Sequence, residues 1–80
     1  MQNEPIKQTR LIRLPVVQER TGLRRATVYD RMNPRSPRYD DTFPRQVKIG
    51  LSAVAWSETE IDSWIQSQID ISRAIQNLSK

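Results

Sequence analysis

Apolar residues along this 80-residue chain fall into separate rhythms, and each rhythm predicts an element. The stretch "RLIRLP" alternates, Leu11 or Ile12 and then Leu14, and reads as a short extended segment. Pro15 suits the first turn of a helix, where its missing N–H would have no partner anyway. The helix "PVVQERT" has Val16 and Val17 apolar and Gln18, Glu19 and Arg20 polar. Gly22 is its stop, because glycine takes positive φ without steric cost. Leu23 follows as a buried plug in the turn. A second helix is predicted over Arg25 to Met32, with Arg24 near its cap. Val28 and Met32, one turn apart, form its apolar stripe with Arg31 beside it. Arg25, Ala26, Tyr29 and Asp30 fall on the other side. Two short helices joined by a Gly-Leu turn make the helix-turn-helix pattern.

The next stretch, "NPRSPRYDDTFP", contains three prolines and no helical period. It is a loop at the long end for a compact domain, the length at which loops are often functional or mobile. "RQVKIGLSAVAW" reads as a hairpin: Val47 and Ile49 alternate with Gln46 and Lys48, Gly50-Leu51-Ser52 turns, and Val54 and Trp56 alternate with Ala53 and Ala55. The expectation is one apolar face, with Val47, Ile49, Val54 and Trp56 inward and Arg45 and Lys48 on the basic side. Ser57 and Glu60 then form a capping box ahead of a long helix from Glu58 to about Gln76. Ile61, Trp64, Ile71, Ile75 and Leu78, with Gln68 between, occupy heptad a and d positions, and Ile65 adds to the first pair. Ile61, Trp64 and Ile65 are expected to pack on the helix-turn-helix. Ile71, Ile75 and Leu78 lie beyond what so small a body can cover. Two readings stand for them, a homodimer seam and a frayed terminus; two heptads alone are too short for a stable coiled coil.

Length allows one core. The first nine residues, "MQNEPIKQT", look like a flexible arm, the domain proper spans residues 10–66, and residues 67–80 form a helical extension. Cysteine and histidine are both absent. That removes disulfides, Cys/His zinc sites, thiol nucleophiles and histidine-based triads. The acidic residues that would have to replace them in catalysis are scattered, so the expectation is a protein without enzymatic activity or cofactor. No apolar run approaches a membrane span, and no signal peptide opens the chain, which points to a cytoplasmic protein without membrane contact.

Charge adds a direction. From Arg20 to Lys48 eight basic side chains face three acidic ones, whereas from Ile49 to Lys80 two basic face four acidic. A positive middle before a mildly negative tail fits a polyanionic partner. A helix fits the major groove of B-DNA and meets base edges with its first turn. Arg24 and Arg25 stand in that turn, where arginine can donate twice to guanine. Thr27 and Tyr29 have hydroxyls able to reach phosphate, a contact that sets register without reading sequence. Ala26 lies among them. Asp30 cuts the other way, since a carboxylate facing DNA repels phosphate unless an arginine answers it or cytosine donates to it. Arg45 and Lys48 on the hairpin can flank the backbone or minor groove, and Arg35 and Arg38 in the loop are candidate phosphate contacts. The competing reading is a solvated basic helix, loop arginines pointing into water, and a hairpin that merely covers the core.

The order "RLPVVQERTGLRRATVYDRM", "NPRSPRYDDTFPRQVKIG" and "AVAWSETEIDSWI" resembles the AlpA family of prophage-encoded regulators over roughly Arg10 to Ile65. The loop followed by Phe-Pro and then "AVAW" is the most specific part of the likeness. The resemblance implies a mainly α fold with a small β-hairpin, a winged helix-turn-helix of the MerR and excisionase type carrying a long C-terminal helix. It implies double-stranded DNA as partner, regulation of integrase and excision genes, and RNA polymerase or an integrase as protein partner. The family's recognition-helix role falls on Arg24, Arg25, Thr27 and Tyr29, and its wing role on Arg45 and Lys48. Ser52 stands at the wing tip where many relatives have Arg or Lys, and Asp30 stands where related segments often have Arg. The alternatives are an excisionase-like DNA-bending factor and a small adaptor whose basic face meets an acidic protein.

Overall fold

The computed structural model describes residues 10–78 of the chain, so the arm expected over residues 1–9 lies outside the described residues, as do residues 79–80. The extended segment is a two-residue strand, β1 (Leu11–Ile12), and the first helix, α1 (Leu14–Thr21), starts two residues later. Arg13 is its N-cap in extended conformation, and the Arg13 carbonyl accepts from the N–H groups of Val16 and Val17 at 3.0 and 3.1 Å. Pro15 sits in the first turn, as its missing N–H allows. Gly22 closes the helix at φ 76°, its N–H donating to the Gln18 carbonyl at 2.8 Å. Thr21 tightens the exit: its hydroxyl donates to the Val17 carbonyl at 2.8 Å and accepts from the Leu23 N–H at 3.2 Å. Leu23 is half-buried against the core, a partial version of the expected plug.

The second helix, α2 (Arg25–Met32), has Arg24 as N-cap and ends at Asn33, after which Pro34 forbids continuation. Residues 33–46 then cross the surface in successive turns. The N–H groups of Ser36, Tyr39 and Phe43 donate to the carbonyls of Asn33, Ser36 and Asp40, and that of Asp40 donates back to Arg31. This loop delivers Phe43 into the core, where its ring meets Trp64 edge-on at 5.0 Å.

Strands β2 (Val47–Lys48) and β3 (Val54–Ser57) form the hairpin, and β1 adds to the far side of β3, giving an antiparallel sheet in the order β1-β3-β2. The alternation had shown the hairpin but not its third strand. The register also corrects the expected face. Val47 pairs with Ala55 and Lys48 with Val54. Residues directly opposite one another share a face, so Val54 and Trp56 lie on the face of Lys48, and Val47 and Ile49 lie on the other. Trp56 is fully buried and Val54 packs on the core, whereas Val47 and Ile49 are exposed. Burial does not follow the predicted alternation: Val47 and Lys48 are both exposed, and Ala55 and Trp56 are both buried although Ala55 shares the face of Val47.

The last helix, α3 (Glu58–Leu78), follows β3 without a gap and extends slightly past the expected end. The Glu60 N–H donates to Ser57 Oγ at 3.3 Å, one half of the predicted capping box, and the Glu58 N–H donates to the Arg10 carbonyl at 2.8 Å. Ile61 and Trp64 are buried with Ile12, Val17, Val28, Phe43 and Trp56, and Ile65 packs beside them. From Ile71 to Leu78 every residue is exposed.

Gly22 has open space where a Cβ would stand. Gly22→Ala should therefore destabilise by backbone strain alone, about 1–2 kcal/mol, lowering Tm in a thermal melt without altering the folded spectrum.

Candidate nucleic-acid interface

Burial of Val28 and the packing of Met32 on the core decide which way α2 faces. Arg24, Arg25 and Ala26 are exposed, and Thr27 and Tyr29 are half-buried. The Arg25 guanidinium lies over the Tyr29 ring, 5.3 Å from its centroid, which couples two of the predicted contact residues. The next basic residue along α2 does not add to them. Arg31 turns inward over the Trp64 ring at 5.7 Å, with its Nε buried and without a hydrogen-bond partner among the described residues.

Asp30 has its arginine. Arg38 Nε donates to Asp30 Oδ2 at 2.9 Å, and the Ser36 hydroxyl donates to Oδ1 at 3.3 Å. The loop thereby cancels the one carboxylate on α2, and Arg38 remains largely exposed while doing so. The Arg35 side chain is exposed; its backbone N–H donates to Asn33 Oδ1 at 3.0 Å.

Asp40 anchors the same loop to α3. The Trp64 indole N–H donates to Asp40 Oδ2 at 3.1 Å, and Thr42 donates to Oδ1 from both its hydroxyl and its backbone N–H. Burial pushes this carboxyl up, but the Thr42 and Trp64 hydrogen bonds and the Arg31 charge outweigh it and hold the group below its ordinary value. Of the hairpin residues, Arg45 is exposed and lines a concavity with Met32, Pro34, Tyr39 and Gln46, together with Asp40 and Asp41 of the loop, so the end of α2 and the base of the hairpin wall the same depression. Lys48 is exposed opposite Val54.

The remaining acidic residues near the core are occupied elsewhere. Arg10 and Arg20 both pair with Glu58, and Arg20 reaches Asp62 at 2.7 Å, tying α1 and the start of β1 to α3. Among the described residues no carboxylate lies within pairing distance of Arg24, Arg25, Arg35, Arg45 or Lys48. Arg13, exposed at the start of α1, is equally unpaired and was not among the sequence candidates, since a cap position says nothing about where its side chain points.

The family model described as the prophage CP4-57 regulatory protein (AlpA) matches residues 10–69, three-quarters of the chain and every element through most of α3. The chain belongs to the AlpA family. This AlpA-family protein is 51% identical over 59 residues to the DNA-binding transcriptional activator AlpA of Escherichia coli (strain K12), covering 74% of this chain and 84% of that one. It is 34% identical over 64 residues to the uncharacterized protein ORF88 of Enterobacteria phage P4, covering 80% of this chain and 66% of that one. No solved structure matches it. The three helices and the small hairpin are those of a winged helix-turn-helix. No helix among the described residues is long and apolar enough to cross a membrane.

The lowered Asp40 pKa has a signed consequence. A carboxyl whose folded pKa is depressed contributes stability above its unfolded value and loses it as pH falls through the folded value. Asp40→Asn should be less stable than the parent at neutral pH, with the gap closing below the ordinary aspartate range. Urea melts across the acid limb measure this; a gap constant with pH would contradict it.

Proposed function

We propose that this AlpA-family protein is a sequence-specific, DNA-binding transcriptional regulator of prophage type, with α2 in the major groove and the hairpin as a wing on the backbone or minor groove. The observation that carries the reading is the charge sorting. Arg24 and Arg25 at the start of α2, Arg35 in the loop and Arg45 and Lys48 on the hairpin have no carboxylate partner among the described residues, while Asp30, Glu58 and Asp62 are paired with arginines and Asp40 accepts from the Trp64 indole. An exposed cation without a counter-charge is what a phosphate can neutralise, with release of condensed counterions. The Escherichia coli relative is named as a DNA-binding transcriptional activator, which supports the same reading.

Within it, Arg24 and Arg25 read base edges from the first turn of α2, Ala26 allows close approach, and Thr27 and Tyr29 contact phosphate. Arg45 and Lys48 take the backbone beside the wing, with Arg35 and Arg38 as further phosphate contacts. Activation rather than DNA bending is the favoured mode, acting on integrase and excision genes with RNA polymerase or an integrase as protein partner. Such a protein works where the DNA is, in the cytoplasm. A second copy joins through Ile71, Ile75 and Leu78, which are 55%, 57% and 85% exposed along one stripe of α3 beyond the core.

Arg25→Ala should cost about 1–3 kcal/mol of specific binding and relax the base preference at one position. Lys48→Ala should weaken all duplexes alike and make the dependence of affinity on salt shallower. Selection of bound duplexes from a random pool, followed by titrations with both variants, tests the division of labour. Identical behaviour of the two would contradict it, and an adaptor would show no preference among duplexes at all. For the second copy, light scattering should give twice the chain mass, and Ile71→Glu with Ile75→Glu should return it to one; a parent already monomeric at high protein concentration rules the dimer out.

A further inference from the structure

We propose that Leu51 is an apolar wedge that the wing inserts into the DNA minor groove at a base step, a contact separate from the cationic ones; the proposal rests on the DNA-binding reading above. Leu51 is 100% exposed at the tip of the hairpin. Hairpin tips favour Gly, Asn, Asp and Ser, whose backbone or side chain helps the turn. Leucine brings no such help. It makes no core contact either, since the partly buried apolar residues packed on the core include Val54 of the hairpin but not Leu51.

The residues beside it leave the tip narrow. Gly50 does not have positive φ, and an added Cβ would meet only Ala53 Cβ, at an ordinary 3.8 Å. The packing does not require a glycine there, and glycine is an ordinary residue for such a turn. What the missing side chain does achieve is a narrow tip, with Leu51 standing between Gly50 and the small Ser52.

The occupant follows from charge and width. From Arg45 to Ala53 the only charged residues are Arg45 and Lys48, both basic and both exposed. Phosphates line both walls of the minor groove, which is about 6 Å wide and admits one slim projection. Cations at the base of a projection hold the walls while an apolar tip meets the stacked bases between them. Leucine is among the side chains that partly unstack a base step in this way. The steps that yield most easily are pyrimidine–purine steps, so the wedge would add a preference for flexible sequence beside the positions read by α2.

The experiment uses the full chain and duplexes that it selects itself from a random pool. 2-Aminopurine is placed at each adenine of the selected duplex in turn, and its fluorescence reports unstacking. The parent should raise the signal at one step outside the positions protected by α2. Leu51→Ala should abolish that rise and weaken specific binding about tenfold, a loss of 1.4 kcal/mol, while Leu51→Met restores both. The melting temperature should not change, because the side chain touches nothing in the folded protein. If Leu51→Ala binds as tightly as the parent and gives the same fluorescence, the wedge is overturned. If Arg25→Ala loses specificity in that same series, DNA binding survives that outcome. A parent that selects no duplex overturns both proposals together.

Discussion

Trp56 lies fully buried on β3, the central strand, opposite Ile12 of β1 and two residues ahead of the first turn of α3. Its indole N–H is buried and makes no hydrogen bond among the described residues. Leaving such a donor unpaired costs about 1–3 kcal/mol. A tryptophan removes about 150–250 Å² from water, and at roughly 25 cal/mol per Å² that area is worth about 4–6 kcal/mol. Burial wins. With Trp56 inside, β3 holds β1 on one edge and β2 on the other. The chain then has no slack before Glu58, so α3 must start where its second turn brings Ile61 and Trp64 onto the same core.

Trp64 carries that arrangement outward to the loop. Its ring meets Phe43 edge-on, its N–H is accepted by Asp40, and Arg31 of α2 lies over it. One side chain of α3 thus holds both α2 and the loop that follows it. The long loop is consequently a built element and not a slack connection. It also returns an arginine to α2, where Arg38 neutralises Asp30 and keeps that helix from presenting a lone carboxylate. The ion pairs between α1 and α3 sit at a partly exposed boundary, with Arg20 36%, Glu58 16% and Asp62 51% exposed. Their visible effect is to occupy Glu58 and Asp62, whose charges are then answered by Arg10 and Arg20.

The helices were legible because their signals are local. Pro15 in a first turn, Gly22 at a helix end and Ser57 three residues before Glu60 each act within a few residues of backbone. So does the spacing of Val28 and Met32, which is enough to turn Arg24 and Arg25 outward. The hairpin was legible as a pair of alternating strands but not in its register. Alternation states that neighbours point to opposite faces; it does not say which neighbour faces which across the pair. A shift of one residue exchanges the faces, and here it leaves Val47 and Ile49 in solvent while Trp56 goes inside.

The amino-acid sequence alone determined the order of elements, the orientation of α2, the excess of positive charge in the middle of the chain and membership of a family, all of which depend on residue type and short spacings. Tertiary structure alone decided that β1 joins the hairpin, that Phe43 belongs to the core, that Arg38 answers Asp30 and that Arg31 turns inward. Those are meetings between segments far apart along the chain. Their outcome is set by which apolar surfaces can be buried at once, and no local pattern encodes that choice.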